Sequence, residues 1–195
     1  NLLRKYIDKV YLQTNYMSDK FKSKYPEFNP CVLPTPINSQ LSTKQLGNNR
    51  IFKPYLVCLC KYYPHKNLEI LLPLAQLIKS SNLNLRILIT IDENETYQSN
   101  KFLKSIAKNN LSDVLVNIGF QSFENAYSTL KQSDGLLLPT LSESYCIPYL
   151  EAFSLNKTIL TSDRGFARSV CGEAAYYFDP LNEYSIFSKI EEMLK

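Results

Sequence analysis

The sequence predicts an α/β fold: a doubly wound, Rossmann-like parallel sheet covered by helices on both faces. From residue 55 onward, short apolar runs alternate with segments of helical periodicity. The runs are apolar throughout rather than at every second residue, as expected of parallel strands buried on both faces. At 195 residues, 45% apolar and 21% charged, the chain has the ordinary make-up of a globular protein and can bury one core plus part of another.

Residues 2–7 read as the end of a helix, and Val10 to Thr14 as a strand. Ser18 to Tyr25 reads as a polar helix stopped at Pro26, and Cys31 to Leu33 as a short strand before Pro34-Thr-Pro36. Residues 38–53 are polar and aperiodic, with Gly47-Asn-Asn49, and read as a linker. A boundary near residue 50 divides the chain into 1–49, the remnant of one domain, and 50–195, a second domain. There, Tyr55–Cys60 is a buried strand. Asn67–Ser80 is a helix with Leu68, Leu71, Leu72, Ala75 and Ile78 at helical spacing. Pro73 falls inside that pattern and should kink or shorten the helix. Strands follow at Leu85–Ile91, Val114–Ile118, Gly135–Leu138, Thr158–Thr161 and Ala175–Phe178. Helices follow at Lys101–Asn109, Phe123–Lys131, 148–154, after Gly165 and at Glu183–Leu194. Right-handed crossovers then place helices on both faces, and ligands bind beyond the carboxyl ends of the strands.

Composition narrows the function. Net charge is +4, from 22 basic and 18 acidic residues, too mild and too dispersed for a nucleic-acid partner. It suits a domain that handles a small anion or works near an anionic membrane. No apolar run is long enough for a transmembrane helix. The start, Asn1-Leu-Leu-Arg-Lys5, has neither methionine nor a signal-peptide pattern and reads as a position inside a longer protein. Five cysteines without a C-x-x-C pair fit a reducing cytoplasm, and Cys58 and Cys60 read as small hydrophobes on one strand face. One histidine, His65, argues against zinc.

Two loops could carry chemistry, 61–67 and 139–147. Both follow strands, so both should open on one edge of the sheet. In the second, Ser144 to Ile147 forms a strand-to-helix turn, with Pro148 favoured in the first helical turn. Free N–H groups of Ser144, Tyr145, Cys146 and Ile147, with the positive end of the helix dipole, make an anion site. Glu143 precedes the turn and Glu151 lies one turn into the helix; each can accept hydroxyl hydrogen bonds or stabilise developing positive charge. The same carboxylates could be a loop charge and a dipole complement, or a hydrolase pair. Lys61 and Lys66 bracket the first loop and can hold a diphosphate, or be plain solvated lysines. Asn67 can cap the next helix, as Ser162 or Asp163 can cap the helix after Gly165. Gly119-Phe120 ends a strand and could flank a nucleobase, or be a simple turn.

Taken together these stretches resemble one family. Ser142-Glu-Ser-Tyr-Cys-Ile-Pro-Tyr-Leu-Glu151 is similar to the Glu-x7-Glu signature of retaining glycosyltransferases of GT-B architecture, in the glycosyl transferases group 1 family. Cys60-Lys-Tyr-Tyr-Pro-His-Lys-Asn67 resembles that family's Gly-Arg-x-x-x-x-Lys-Gly/Asn loop. Val116 to Phe120, Ser133 to Pro139, Thr161 to Gly165 and Ala174 to Pro180 follow in the family's order. The resemblance runs from about residue 50 to the C-terminus and implies the C-terminal half of a GT-B fold. Residues 1–49 resemble the end of the family's acceptor-binding domain.

The resemblance implies that Lys61, Lys66 and the N–H groups of Tyr145 to Ile147 hold the donor diphosphate. It implies that Glu151 binds the ribose hydroxyls and that Glu143, the catalytic residue, contacts the transferred sugar. No cofactor and no metal are expected. The implied partners are a nucleotide-sugar donor and a saccharide or glycolipid acceptor. The implied setting is surface polysaccharide or glycolipid synthesis, in the cytoplasm or at the inner face of the membrane, with peripheral membrane association open to the full-length protein. This part alone should not turn over. Lys61 stands where arginine is usual, Cys60 and Cys146 where glycine is usual, and Ser169 where glutamate is common. Those exchanges motivate the alternative of a non-catalytic nucleotide-binding or interaction module.

Overall fold

The computed structural model describes residues 6–36 and 54–195. The first stretch holds β1 (Tyr11–Leu12), α1 (Asn15–Lys24) and β2 (Cys31–Val32). The second holds β3 (Tyr55–Cys58), α2 (Leu71–Ser80), β4 (Arg86–Ile89), α3 (Tyr97–Lys108), β5 (Leu115–Asn117) and α4 (Phe123–Gln132). It continues with β6 (Gly135–Leu138), α5 (Ile147–Ser154), β7 (Thr158–Ser162), α6 (Gly165–Cys171), β8 (Tyr176–Phe178) and α7 (Glu183–Met193).

Six strands make one sheet in the order β5-β4-β3-β6-β7-β8, and every neighbouring pair is parallel. The chain enters the sheet at its centre, winds outward through β4 and β5, returns to β6 beside β3, and winds out the other way. The order therefore reverses between β3 and β6, and in sheets of this kind the space beyond the carboxyl ends of such strands is where ligands bind. This is the Rossmann-like parallel sheet expected from the apolar runs. All residues of β3 and β6 are buried, as central strands covered on both faces must be. Gly135 allows β6 to lie close to β7, since a Cβ there would sit 2.9 Å from the Thr158 carbonyl oxygen.

Local signals explain the helix starts. Thr96 and Ser99 form a reciprocal capping box for α3, with bonds of 3.0 and 3.1 Å. Ser122 caps α4 and Asn182 caps α7. Helix α2 buries Leu71, Leu74, Ala75 and Ile78. Pro73 lies in its first turn, where the missing N–H costs little; the residues before it form short 3-10 turns instead. The proline thus shortens the helix rather than kinking it.

Several expectations are corrected. The strand over 10–14 narrows to Tyr11–Leu12, because the Thr14 side chain accepts from the Met17 N–H at 3.1 Å and starts α1 early. Cys60 lies beyond the end of β3. Asn67 does not cap a helix: its backbone is left-handed and its side chain bonds elsewhere. Neither Ser162 nor Asp163 caps α6; Asp163 instead holds Arg168 through two bonds of 2.5 and 2.9 Å. Of the helix end read over 2–7, residues 2–5 lie outside the described residues, as does the linker over 38–53.

The first stretch is anchored to the sheet domain through α1 and α6. Tyr16 packs against the first turn of α6, where a Cβ on Gly165 would clash with its ring. No helix among the described residues is long and apolar enough to cross a membrane.

Candidate functional site

The loops after β3 and β6 meet at the reversal point, and side-chain chemistry joins them. The Leu141 N–H donates to the His65 carbonyl at 2.7 Å, and the Thr140 hydroxyl donates to the same oxygen at 3.0 Å. Asn67 stands between, with φ 55° and ψ 40°, a conformation that asparagine tolerates better than most residues. From there its Nδ2 donates to the Pro139 carbonyl at 3.1 Å and the Pro180 carbonyl at 2.7 Å. One side chain thus ties together three loops at the carboxyl edge of the sheet.

This stitching brings Lys66 to Glu143. The Lys66 Nζ lies 2.5 Å from Glu143 Oε1, and the Thr140 hydroxyl, 3.1 Å from that oxygen, shares its one proton between it and the His65 carbonyl. Both charged groups are half-buried. Burial works against the Lys66 ammonium, but the hydrogen bond and charge of Glu143 outweigh it and raise the lysine's pKa. Lys66 therefore stays charged at the reversal point.

The turn 144–147 adds backbone donors. Cys146 precedes α5 with φ −95° and ψ 95°, an ordinary conformation, so a side chain fits where the resemblance has glycine. Its thiol is buried, and that burial pushes its pKa up. The N–H groups of Ser144, Tyr145 and Cys146 donate to no acceptor among the described residues. Ile147, 51% exposed, opens the helix ahead of Pro148, so its N–H also belongs to the unpaired first turn. Glu151 follows one turn later. It is 8% exposed, its carboxylate has no hydrogen-bond or ion partner among the described residues, and its oxygens are not sealed from solvent. Burial raises its pKa.

Two other residue sets are on the same edge but farther out. The Lys61 Nζ pairs with Glu95 at 2.8 Å, with the lysine side chain 56% exposed, in no contact with Lys66 or Glu143. Gly119, at φ 72°, and the exposed Phe120 follow β5, two strands from β3, a lateral distance of about 10 Å. The structure thus joins Lys66 to Glu143 and sets both beside the turn 144–147. Reasoning on the sequence missed Asn67, Thr140 and Glu95 as partners. Only Asn67 carried a signal, since asparagine directly before an apolar helical run suits a left-handed residue as well as a cap.

Fold and site together define a Rossmann-like α/β domain with a turn of unpaired backbone N–H groups and an unpartnered Glu151 carboxylate beside its switch point. The glycosyl transferases group 1 family profile matches residues 44–195, and the chain belongs to that family. Among solved structures it is similar to a glycosyltransferase from Rickettsia africae ESF-5, at 16% identity and TM-score 0.81, over 100% of this chain and 57% of that one. It is also similar to a TarM mutant of S. aureus in complex with Fondaparinux, alpha-GlcNAc-glycerol and UDP. That match has 14% identity and TM-score 0.80, over 98% of this chain and 38% of that one. A third is sucrose-phosphate synthase from Thermosynechococcus elongatus, at 14% identity and TM-score 0.76, over 96% of this chain and 49% of that one. At such identities the likeness establishes the GT-B type of fold. The chain spans about half the length of these proteins or less. No curated protein matches the chain.

Proposed function

We propose that this chain is the donor-binding part of a retaining glycosyltransferase. It would serve in moving a sugar from a nucleotide-diphosphate sugar to a saccharide or lipid-linked acceptor, in surface polysaccharide or glycolipid synthesis. The observation that carries this reading is Glu151: a residue nine-tenths buried whose carboxylate, still reached by solvent, has no partner among the described residues, one turn inside the helix whose amino end presents unpaired N–H groups. A buried charge with no protein partner is costly, and a ligand with paired hydroxyls relieves it. A ribose has such a pair.

The remaining parts fit around it. The diphosphate docks on the N–H groups of Ser144 to Ile147, with Lys66 and Lys61 supplying charge. Glu143, already on Lys66, faces the transferred sugar and stabilises positive charge at its reacting carbon. Phe120 is exposed and free to stack on the base. Three lines of support are independent of one another: the family membership, the solved relative in complex with UDP, and the meeting of both loops at the switch point. The chain needs acceptor-binding residues outside the sheet domain for turnover.

Calorimetry with UDP, GDP and their sugars tests the reading. Binding of at least one, weakened about tenfold or more by Glu151→Ala, is the expected result. A protein that binds none of them, or binds equally well as Glu151→Ala, overturns it.

A further inference from the structure

Cys58 and Cys60 lie at the root of the loop that carries Lys61 and Lys66, and sugar transfer gives neither thiol a task. Cys58 is the last residue of β3 and is fully buried; Cys60, two residues on, is half-buried. Their sulfurs are 3.6 Å apart. In an extended chain residues two apart have Cα atoms about 6.6 Å apart, just inside the span of about 4.4–6.8 Å that a disulfide bridges. Cys60 is past the end of the strand, where the chain is free to shorten that span. The hydrogen bond with Cys60 and burial hold the Cys58 thiol up against the smaller opposing effect of the Lys66 ammonium. Cys58 is sealed and Cys60 is partly open, so Cys60 is the sulfur that a hydroperoxide reaches first.

We propose that Cys58 and Cys60 form a peroxide-oxidisable dithiol whose internal disulfide weakens anion binding at the loop 61–67; the second half rests on the donor-site reading above. The Cys60 thiolate attacks one oxygen of a hydroperoxide. The O–O bond breaks, an alkoxide or hydroxide leaves and takes up a proton, and Cys60 becomes a sulfenic acid. The Cys58 sulfur then attacks the Cys60 sulfur; the S–O bond breaks and the hydroxyl leaves as water with the Cys58 proton. Two thiols and one hydroperoxide give one disulfide, one water and one alcohol, or a second water from hydrogen peroxide. Closing the sulfurs to about 2.05 Å draws Cys60 back toward β3. That disturbs its two contacts with the Thr90 hydroxyl, each 3.2 Å, which fix the start of the lysine loop.

The test uses protein with the exposed Cys31 replaced by serine, treated with hydrogen peroxide, quenched with N-ethylmaleimide and cut with trypsin. Residues 51–61 form one peptide, because Lys53 precedes proline, and it carries only these two cysteines. The expected peptide is unlabelled, about 2 Da lighter than the dithiol, and returns to the labelled form after dithiothreitol. UDP or GDP binding, whichever the reduced protein shows, weakens about fivefold or more on oxidation and recovers on reduction. Cys60→Ser protein binds as before with or without peroxide. A peptide doubly labelled after peroxide overturns the dithiol, and a disulfide that leaves nucleotide binding unchanged overturns its effect on the loop. If the reduced protein binds no nucleotide, the donor-site reading fails, while the peptide mass still decides the disulfide.

Discussion

Replacing Glu151 with glutamine should make the ligand-free protein more stable and the nucleotide complex weaker. Glu151 is 8% exposed, and its carboxylate has no partner among the described residues. Removing its charge while keeping its shape relieves an uncompensated burial of about 1 kcal/mol or somewhat more. In a domain of this size that is a rise of about 2–4 °C in thermal midpoint. The pH dependence follows from the raised pKa. Between the unfolded value, about 4.3, and the higher folded value, the folded state binds more protons, so the native protein loses stability as pH rises through that window. The gain from Glu151→Gln is therefore full at pH 7 and gone below about pH 4, where both forms are neutral. A nucleoside diphosphate at about a hundred times its Kd adds about 2.7 kcal/mol to the native protein. With tenfold weaker binding the same concentration adds about 1.4 kcal/mol to the variant. Thermal melts of both proteins at pH 7 and near pH 4, with and without UDP or GDP, measure all three effects. A variant less stable than the native protein at pH 7 would refute the reasoning, because Glu151 would then be a structural partner.

Substitutions at two further positions separate scaffold from site. Asn67→Gly keeps the left-handed backbone but loses two hydrogen bonds, for about 2 kcal/mol, and Asn67→Ala should lose about 1 kcal/mol more through the strain of its Cβ; urea midpoints read both, and equal losses would mean that the positive φ is no constraint. Lys61→Ala should leave the thermal midpoint unchanged, since its ion pair with Glu95 is exposed, yet weaken diphosphate binding about threefold at low salt and less at high salt. Identical affinities for native and variant protein at low salt would remove Lys61 from the site.

The sheet was legible because its strands are simple in sequence terms. Leu56-Val-Cys58 and Leu136-Leu-Leu138 are buried on both faces, so neither needs a polar residue, and a short apolar run announces them. Helix starts were less so. Thr14, Ser162, Asp163 and Asn67 belong to residue types that serve as caps, turn formers and loop clamps alike, and only the fold decides among these uses. Thr14 caps; Asn67 clamps, because Pro139 and Pro180 present carbonyls to it from loops far along the chain. The site was legible as residue types and not as pairs. Nothing in the sequence links Lys66 to Glu143, 77 residues away, or Lys61 to Glu95, 34 residues away.

That pairing sharpens the division of labour proposed for the two glutamates. Glu143 is compensated before any ligand arrives, by an ammonium at 2.5 Å and a hydroxyl at 3.1 Å, so its burial is already stabilised. Glu151 has no protein partner, and only the solvent that reaches its oxygens serves it until a ligand arrives. A group of the second kind contributes binding energy, because ligand hydroxyls meet an acceptor with little water to displace and no protein partner to compete with. A group of the first kind contributes little to ground-state binding, since any new contact competes with Lys66. Its negative charge becomes worth more once the diphosphate claims a share of that lysine and positive charge grows on the sugar. Removing Glu151 should therefore raise Kd, whereas removing Glu143 in the full-length protein should lower the rate of sugar transfer with little change in donor affinity.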